Sequence, residues 1–386
     1  MQTPIRIAIV AGEASGDLLG SHLVTALRAR LPQAEFLGIA GPKMMACGVK
    51  SLFPMEKLSI MGFHEVLKNL FSLLALRRDL KRQLIAWQPQ VYIGVDAPDF
   101  NFNIERTLRK QGITTVHFAS PSIWAWRGGR IKKIKRAVDH MLVLFPFEKT
   151  IYDQAGIPAT YVGHPMADTI PLENNLIAAR DQLKLSHDAT IITLLPGSRR
   201  SELDLHADLF VQTAQCLQQR LPQVKFLAPL ATKETRNLFE AAIYRNQAQD
   251  LPIKILFGHA QEAMAAANCV LVKSGTATLQ AALLKRPMVI TYRIPKLTYR
   301  LVRHRFYLPY FGMPNVLAGR FIVPEFMQDQ ATPENLAQAV CTWLEDKAGR
   351  ENLTVEFTRM HLELRQNTAQ LASDAVIGLL KGRGAC

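Results

Sequence analysis

An alternation that occurs twice restricts this chain more than any other feature of it. Short runs rich in β-branched residues, IRIAIVAG (5–12), VYIGVD (91–96), TTVHFAS (114–120) and HMLVLF (140–145), are separated by helix-length amphipathic segments. After TYVGHPMADTIPLE (160–173) the alternation restarts, with TIITLLPGS (190–198), VKFLAPL (224–230), IKILFG (253–258), CVLV (269–272) and MVITYR (288–293). Strands joined by crossover helices pair in parallel, and near-continuous apolar runs suit strands buried on both faces. The pattern predicts an α/β chain with two domains, residues 1–165 and 166–350, facing each other across a central cleft, and a helical segment over 351–386. The end is helical by periodicity from Pro333 to about Lys381, and part of it is expected to return across the first domain.

The 46 Lys and Arg against 32 Asp and Glu leave a formal net charge of +14, which favours an anionic partner: nucleic acid, an anionic lipid surface or a phosphorylated substrate. Charge alone does not choose among them. The cysteines at 47, 216, 269, 341 and 386 are scattered and form no C-x-x-C pair, so neither a disulfide framework nor a zinc cluster is indicated. A reducing cytoplasm is the simplest setting, and the start, MQTPIRIAIVAG, does not have the form of a signal peptide.

Residues 62–84, GFHEVLKNLFSLLALRRDLKRQL, are greasy enough to favour burial and basic enough to resist it. On a helical wheel Leu76, Leu80, Leu73, Val66, Leu84, Leu70, Leu74, Leu67 and Phe71 spread over about 220°, about twice the stripe a core-facing helix needs. Arg77, Lys81, Arg78 and Arg82 fall within the same sector. A helix lying in a lipid interface tolerates cations there, because they reach phosphate headgroups. The stretch predicts a membrane-surface helix, and a wide subunit contact is the other arrangement with this pattern. No run of about 20 apolar residues occurs, so membrane contact is expected to be peripheral.

In open α/β sheets ligands bind beyond the carboxyl ends of the strands. AGEASGDLLG (11–20) follows the first strand but lacks the G-x-G-x-x-G spacing and the G-K-[ST] ending. It reads either as a tight turn with Asp17 near the helix start or as a substrate-lining loop. In LLPGSRRSE (194–202) a strand ends at Pro-Gly and a helix begins at Ser198, which can cap it. Gly197, Ser198 and the Arg199 guanidinium would then converge on a phosphate. VKSGTATLQAALLKRP (272–287) repeats the device with Ser274, Gly275, Thr276 and Ala277. Two such loops, followed by PNVLAG (314–319), suggest a nucleoside diphosphate, with ordinary helix capping as the alternative.

The motifs AGEASGD, MGFHEVL, DAPDFN, PSIWAWRGGR, VGHPMAD, LLPGSR, SGTATL and PNVLAG occur in an order that resembles the bacterial lipid-A-disaccharide synthase family. The resemblance implies a GT-B glycosyltransferase of two Rossmann-like domains, inverting and without a metal or other cofactor. Such an enzyme joins UDP-2,3-diacylglucosamine to 2,3-diacylglucosamine 1-phosphate. Both acylated substrates place it at the inner face of the cytoplasmic membrane, on an anionic surface, where the 66–82 stretch has partners. WAWRGGRIKKIKR (124–136) adds Trp124 and Trp126 beside cations, which suits headgroups. The family usually carries Glu where this chain has Gln280, which offers the ribose hydroxyls a single carbonyl oxygen.

For the chemistry, the acceptor's 6-hydroxyl must lose a proton, and a carboxylate at a strand end is suited to take it. Asp96 fits that place and the family, with Asp99 as the neighbouring rival and Glu13 as a further cleft carboxylate. Asn315, in PNVLAG, is expected with the UDP-binding set. A UDP-sugar epimerase of similar build and a basic RNA-binding protein remain the alternatives; no RNA-recognition module is visible, and nucleic acid is not expected as a partner. His117, His164 and His259 lie in or after strands and read as packing or hydrogen-bonding residues. Oligomeric state stays open, a homodimer being one arrangement.

Overall fold

The computed structural model describes residues 4–58, 63–125, 128–302, 304 and 307–382, without the side chains of 63–70 and 302. The chain divides into two compact units, Met1–Asp168 with Leu364–Cys386, and Thr169–Glu363.

The first unit holds β1 (Arg6–Ala11), β2 (Glu35–Ile39), β3 (Lys50–Ser51), β4 (Val91–Val95), β5 (Thr114–Phe118), β6 (His140–Val143) and β7 (Ala159–Tyr161). They form one parallel sheet in the order β3-β2-β1-β4-β5-β6-β7. Ile7, Ile9, Val91, Ile93 and Val116 are fully buried between the covering helices, as apolar strands in such a sheet should be. The second unit holds β8 (Ile191–Leu195), β9 (Lys225–Leu230), β10 (Ile253–Phe257), β11 (Cys269–Lys273), β12 (Met288–Tyr292) and β13 (Glu325–Met327), also parallel, in the order β10-β9-β8-β11-β12-β13. The sequence pattern missed β2, β3, β7 and β13. Three of these are edge strands, and β7 and β13 are half-exposed throughout, so they carry no continuous apolar run.

The C-terminal boundary differs from the expected 350/351. Helix Lys347–Leu364 runs unbroken through that point, and only the last helix, Thr368–Lys381, joins the first unit. There Ala372, Val376, Ile377 and Leu380 enter the core beside helix Ala14–Arg30. The VGHPMAD stretch fastens this return. Asp168 accepts from Asn367 N at 2.9 Å and Thr368 N at 2.7 Å, and His164 N donates to Leu364 O at 2.9 Å. Gly163, at φ +81°, sits where a Cβ would lie 2.6 Å from Leu364 O, so the chain can pass only over a glycine.

Candidate active site

In the second unit, the ends of β8, β9 and β11 open onto a cavity of about 310 Å³. Gly197, Ser198 and Arg199 line it from one loop, and Lys273, Gly275, Thr276 and Ala277 from the other, so the two suspected phosphate loops do meet. Helices Arg200–Arg220 and Thr276–Leu283 start there, with the partial positive charge of their first amides.

Ser198 does not cap the first helix. Arg199 is the N-cap, and Glu202 reaches back to accept from Ser198 N at 2.9 Å and Arg199 N at 3.3 Å. A carboxylate therefore fills the amide nest that the sequence assigned to a phosphate. Gly197, at φ +139°, makes this possible, since a Cβ there would lie 2.5 Å from Glu202 Cβ. Lys273 Nζ lies 2.9 Å from Glu202 Oε1, and the two side chains are only 16% and 18% exposed. Burial alone would raise the Glu202 pKa, but Lys273 and the two amides outweigh it and hold the carboxyl below its ordinary value. Beneath them, buried His206 donates from Nδ1 to Glu202 O at 2.8 Å and accepts at Nε2 from Arg293 N at 3.0 Å. Burial, chiefly, lowers its pKa to about 4, so it stays neutral near pH 7. Sequence reasoning missed Glu202 and Lys273, although R-R-S-E has the spacing of a helix N-terminus closed by its third residue.

Three expected nucleotide contacts sit differently. The Ser274 hydroxyl donates to Phe311 O at 2.9 Å and braces that loop. Gln280 lies a turn inside its helix, outside the cavity lining, and donates to Gln261 Oε1 at 3.4 Å. Asn315 is fully buried. Its Nδ2 donates to Val323 O at 2.9 Å and Glu325 Oε1 at 2.7 Å, and its Oδ1 accepts from Ile322 N at 2.7 Å and Val323 N at 3.0 Å. With every hydrogen-bonding position occupied, Asn315 organises PNVLAG from inside.

In the first unit, β1 and β4 are neighbours with Ala11 paired to Val95, so Glu13 and Asp96 emerge at the same end of the sheet. Glu13 is the N-cap of helix Ala14–Arg30. Asp17 in the same motif is buried and accepts from Gly41 N, Lys43 N and Met44 N, closing the start of helix Pro42–Ala46. Asp96 and Ala97 have φ of 51° and 44°. Left-handed backbone at two successive non-glycine residues costs about 1–3 kcal/mol each and persists only where the surroundings enforce it. Asp96 N donates to Phe118 O at 2.8 Å, and Ala97 O accepts from Phe100 N and Asn101 N, each at 3.0 Å. Asp99 points elsewhere: both its oxygens accept from Arg130 Nη2, at 2.7 and 2.8 Å.

The basic, leucine-rich stretch folds into helix Phe63–Trp87, and its wide apolar sector is divided between two environments. Leu76, Leu80 and Leu84 are buried in the core, and Leu73, expected at the lipid surface, is half-buried and packs against it. Phe71 and Leu74 are 84% and 42% exposed. Arg77 donates to Asp99 O at 3.4 Å and Lys81 to Asn103 Oδ1, both toward helix Pro98–Lys110, whereas Arg78 and Arg82 stand out from the surface. The side chains of Val66, Leu67 and Leu70, and all of Trp126, lie outside the described residues. Trp124 is half-buried, edge-on to Phe147 with centroids 5.4 Å apart, and it hydrogen-bonds the buried Glu148. The indole is thus held by the fold, with less to offer a bilayer than a free interfacial tryptophan. Burial raises the Glu148 pKa to about 8 despite bonds from Phe145, Leu144, Ser120 and Trp124. Among the described residues no helix is long and apolar enough to cross a membrane, and no His, Cys, Asp and Glu group is placed to hold a metal.

A profile of the lipid-A-disaccharide synthetase family matches residues 7–377. The chain is 55% identical over 375 residues to the lipid-A-disaccharide synthase of Methylobacillus flagellatus, covering 97% of this chain and 99% of that one. It is 55% identical over 381 residues to that of Dechloromonas aromatica, covering 98% and 100%. Among solved structures it resembles MurG of Acinetobacter baumannii, with TM-score 0.58 and 14% identity over 97% of this chain and 100% of the other. It also resembles UDP-GlcNAc 2-epimerase of Neisseria meningitidis bound to UDP-GlcNAc, with TM-score 0.61 and 12% identity over 98% and 100%. These structural likenesses speak for the GT-B fold alone, and the epimerase is a neighbour in fold only. The sequence likeness spans both units at more than half identity, and on that ground the chain belongs to the lipid-A-disaccharide synthase family.

Proposed function

We propose that the protein joins UDP-2,3-diacylglucosamine to 2,3-diacylglucosamine 1-phosphate, forming the β-1,6-linked disaccharide 1-phosphate of lipid A and releasing UDP. The observation that carries this reading is the whole-chain likeness to lipid-A-disaccharide synthases. In the reaction, Asp96 takes the proton of the acceptor's 6-hydroxyl as that oxygen bonds to the donor's anomeric carbon. The bond from that carbon to the diphosphate breaks, with inversion. The departing charge falls to Arg199, Lys273 and the first amides of helix Thr276–Leu283, which line one cavity. Phe71 and Leu74, with Arg78 and Arg82, form the contact with an anionic membrane surface at the inner face of the cytoplasmic membrane, where the acylated substrates reside.

Incubation with both acylated substrates should yield the disaccharide and one UDP per bond formed. Epimerised UDP-sugar, or turnover with no use of the acceptor, would discard the reading. Lys273→Met is expected to weaken UDP binding by calorimetry by about tenfold or more, since a charge-assisted phosphate contact is worth about 1.5–3 kcal/mol. Because Lys273 also neutralises Glu202, the decisive measurement is the Lys273→Met/Glu202→Gln pair. The loss should persist there, and recovery of wild-type affinity would remove Lys273 from the phosphate site.

A further inference from the structure

Beneath the turn that carries Asp96 lies a side chain not yet given a role. Asn101, fully buried one turn into helix Pro98–Lys110, donates from Nδ2 to Asp96 O at 2.8 Å and lies 3.5 Å from Val10 O at the end of β1. Its Oδ1 accepts from the Tyr92 hydroxyl at 2.8 Å. Tyr92 is fully buried on β4. Burial, and then the charge of Glu105, push its phenol well above the ordinary pKa, so it stays protonated and donates. The phenol demands an acceptor and the two carbonyls demand donors, so the amide can sit only one way round.

We propose that Asn101 is a positioning residue for the transfer reaction: through the chain Tyr92–Asn101–Asp96 it holds the left-handed turn and so aims the Asp96 carboxylate at the acceptor hydroxyl. The inference rests on Asp96 being the base. The carbonyl that Asn101 grips belongs to the first of the two strained residues, so it fixes the peptide plane that joins them. Without that donor, the Asp96–Ala97 peptide is free to relax toward right-handed or extended backbone, which L-residues favour. Such a rotation carries the carboxylate with it, and a displacement of about 1 Å in a reacting group can cost about 10²-fold in rate. The donor cavity belongs to the other unit, so donor affinity should not respond.

The test is a kinetic cycle of Asn101→Ala, Asp96→Asn and the double variant, with Tyr92→Phe alongside. Asn101→Ala should lower kcat by about 10- to 100-fold with KM for both substrates within about threefold of wild type. In the Asp96→Asn background the same change should cost less than about threefold, because the group being aimed is gone. Tyr92→Phe, which removes one hydroxyl and keeps the ring, should lower kcat by about three- to tenfold. Wild-type kcat in Asn101→Ala, or an undiminished loss in the Asp96→Asn background, overturns the inference and leaves Asn101 a residue of the fold. Should Asn101→Ala fail to fold, Tyr92→Phe decides alone, and kcat within twofold of wild type overturns it. If Asp96→Asn itself keeps wild-type kcat, the base assignment fails first and takes the inference with it.

Discussion

Asp96→Asn is expected to lower kcat by about 10²–10⁴-fold while UDP affinity, measured by calorimetry, stays nearly unchanged. The amide keeps the size and planarity of the carboxylate and removes its ability to take a proton. The turn that presents the residue is held by main-chain contacts to Phe118 and by the Asn101 amide, neither of which involves the altered side chain, so the fold should survive. Asp99→Asn, made in parallel, should cost much less, since both Asp99 oxygens are already held by Arg130. A kcat for Asp96→Asn within about threefold of wild type, with chemistry shown to be rate-limiting, would defeat the assignment. A large loss in Asp99→Asn alone would transfer it to the neighbour.

The two faces of helix Phe63–Trp87 should respond in opposite ways. Leu80 is fully buried in the core, so Leu80→Ala should destabilise the protein by about 2–5 kcal/mol, read as a lower urea midpoint with an unchanged slope. Phe71 and Leu74 face outward, and replacing both with Ser should change stability by less than about 0.5 kcal/mol each. The same double variant should bind anionic vesicles at least about tenfold more weakly, because burying each of these side chains in lipid is worth about 1.5–3 kcal/mol when complete. Unfolding of the Phe71→Ser/Leu74→Ser variant would mean that these residues serve the core. Vesicle binding equal to wild type would mean that the outer face is not the membrane contact.

The leucines of this helix show where sequence periodicity stops. A wheel places Leu74 and Leu80 in one broad apolar sector, and both readings, core and surface, take their residues from it. The division depends on which part of that sector the sheet and neighbouring helix cover. That is a property of packing, and it leaves Leu80 buried and Phe71 84% exposed. Arg77 and Lys81 were legible as cations but not as partners of Asp99 O and Asn103 on a helix more than twenty residues away.

At the sites the same limit holds. Strand-then-helix order, together with turns at Gly12, Asp96, Gly197 and Gly275, was enough to place the candidate residues at strand ends, because a parallel sheet presents all its strand ends on one side. Two α/β units, their central strands and the meeting of the 197–199 and 275–277 loops all follow from that order, since apolar runs and helix-start residues act locally. What occupies the loops is not local. Glu202 reached an amide nest that the sequence left open to phosphate, Lys273 came from another strand to neutralise it, and Asn315 turned inward on Glu325 and the backbone of Ile322 and Val323. Asn101 found Asp96 O only because the 96–97 turn bends back over its own helix start. The sequence alone determined which residues stand at strand ends, through short-range propensity and burial. Which polar group satisfies which was decided only in the tertiary structure, because every buried donor and acceptor must find its partner among groups that the chain brings together from far apart.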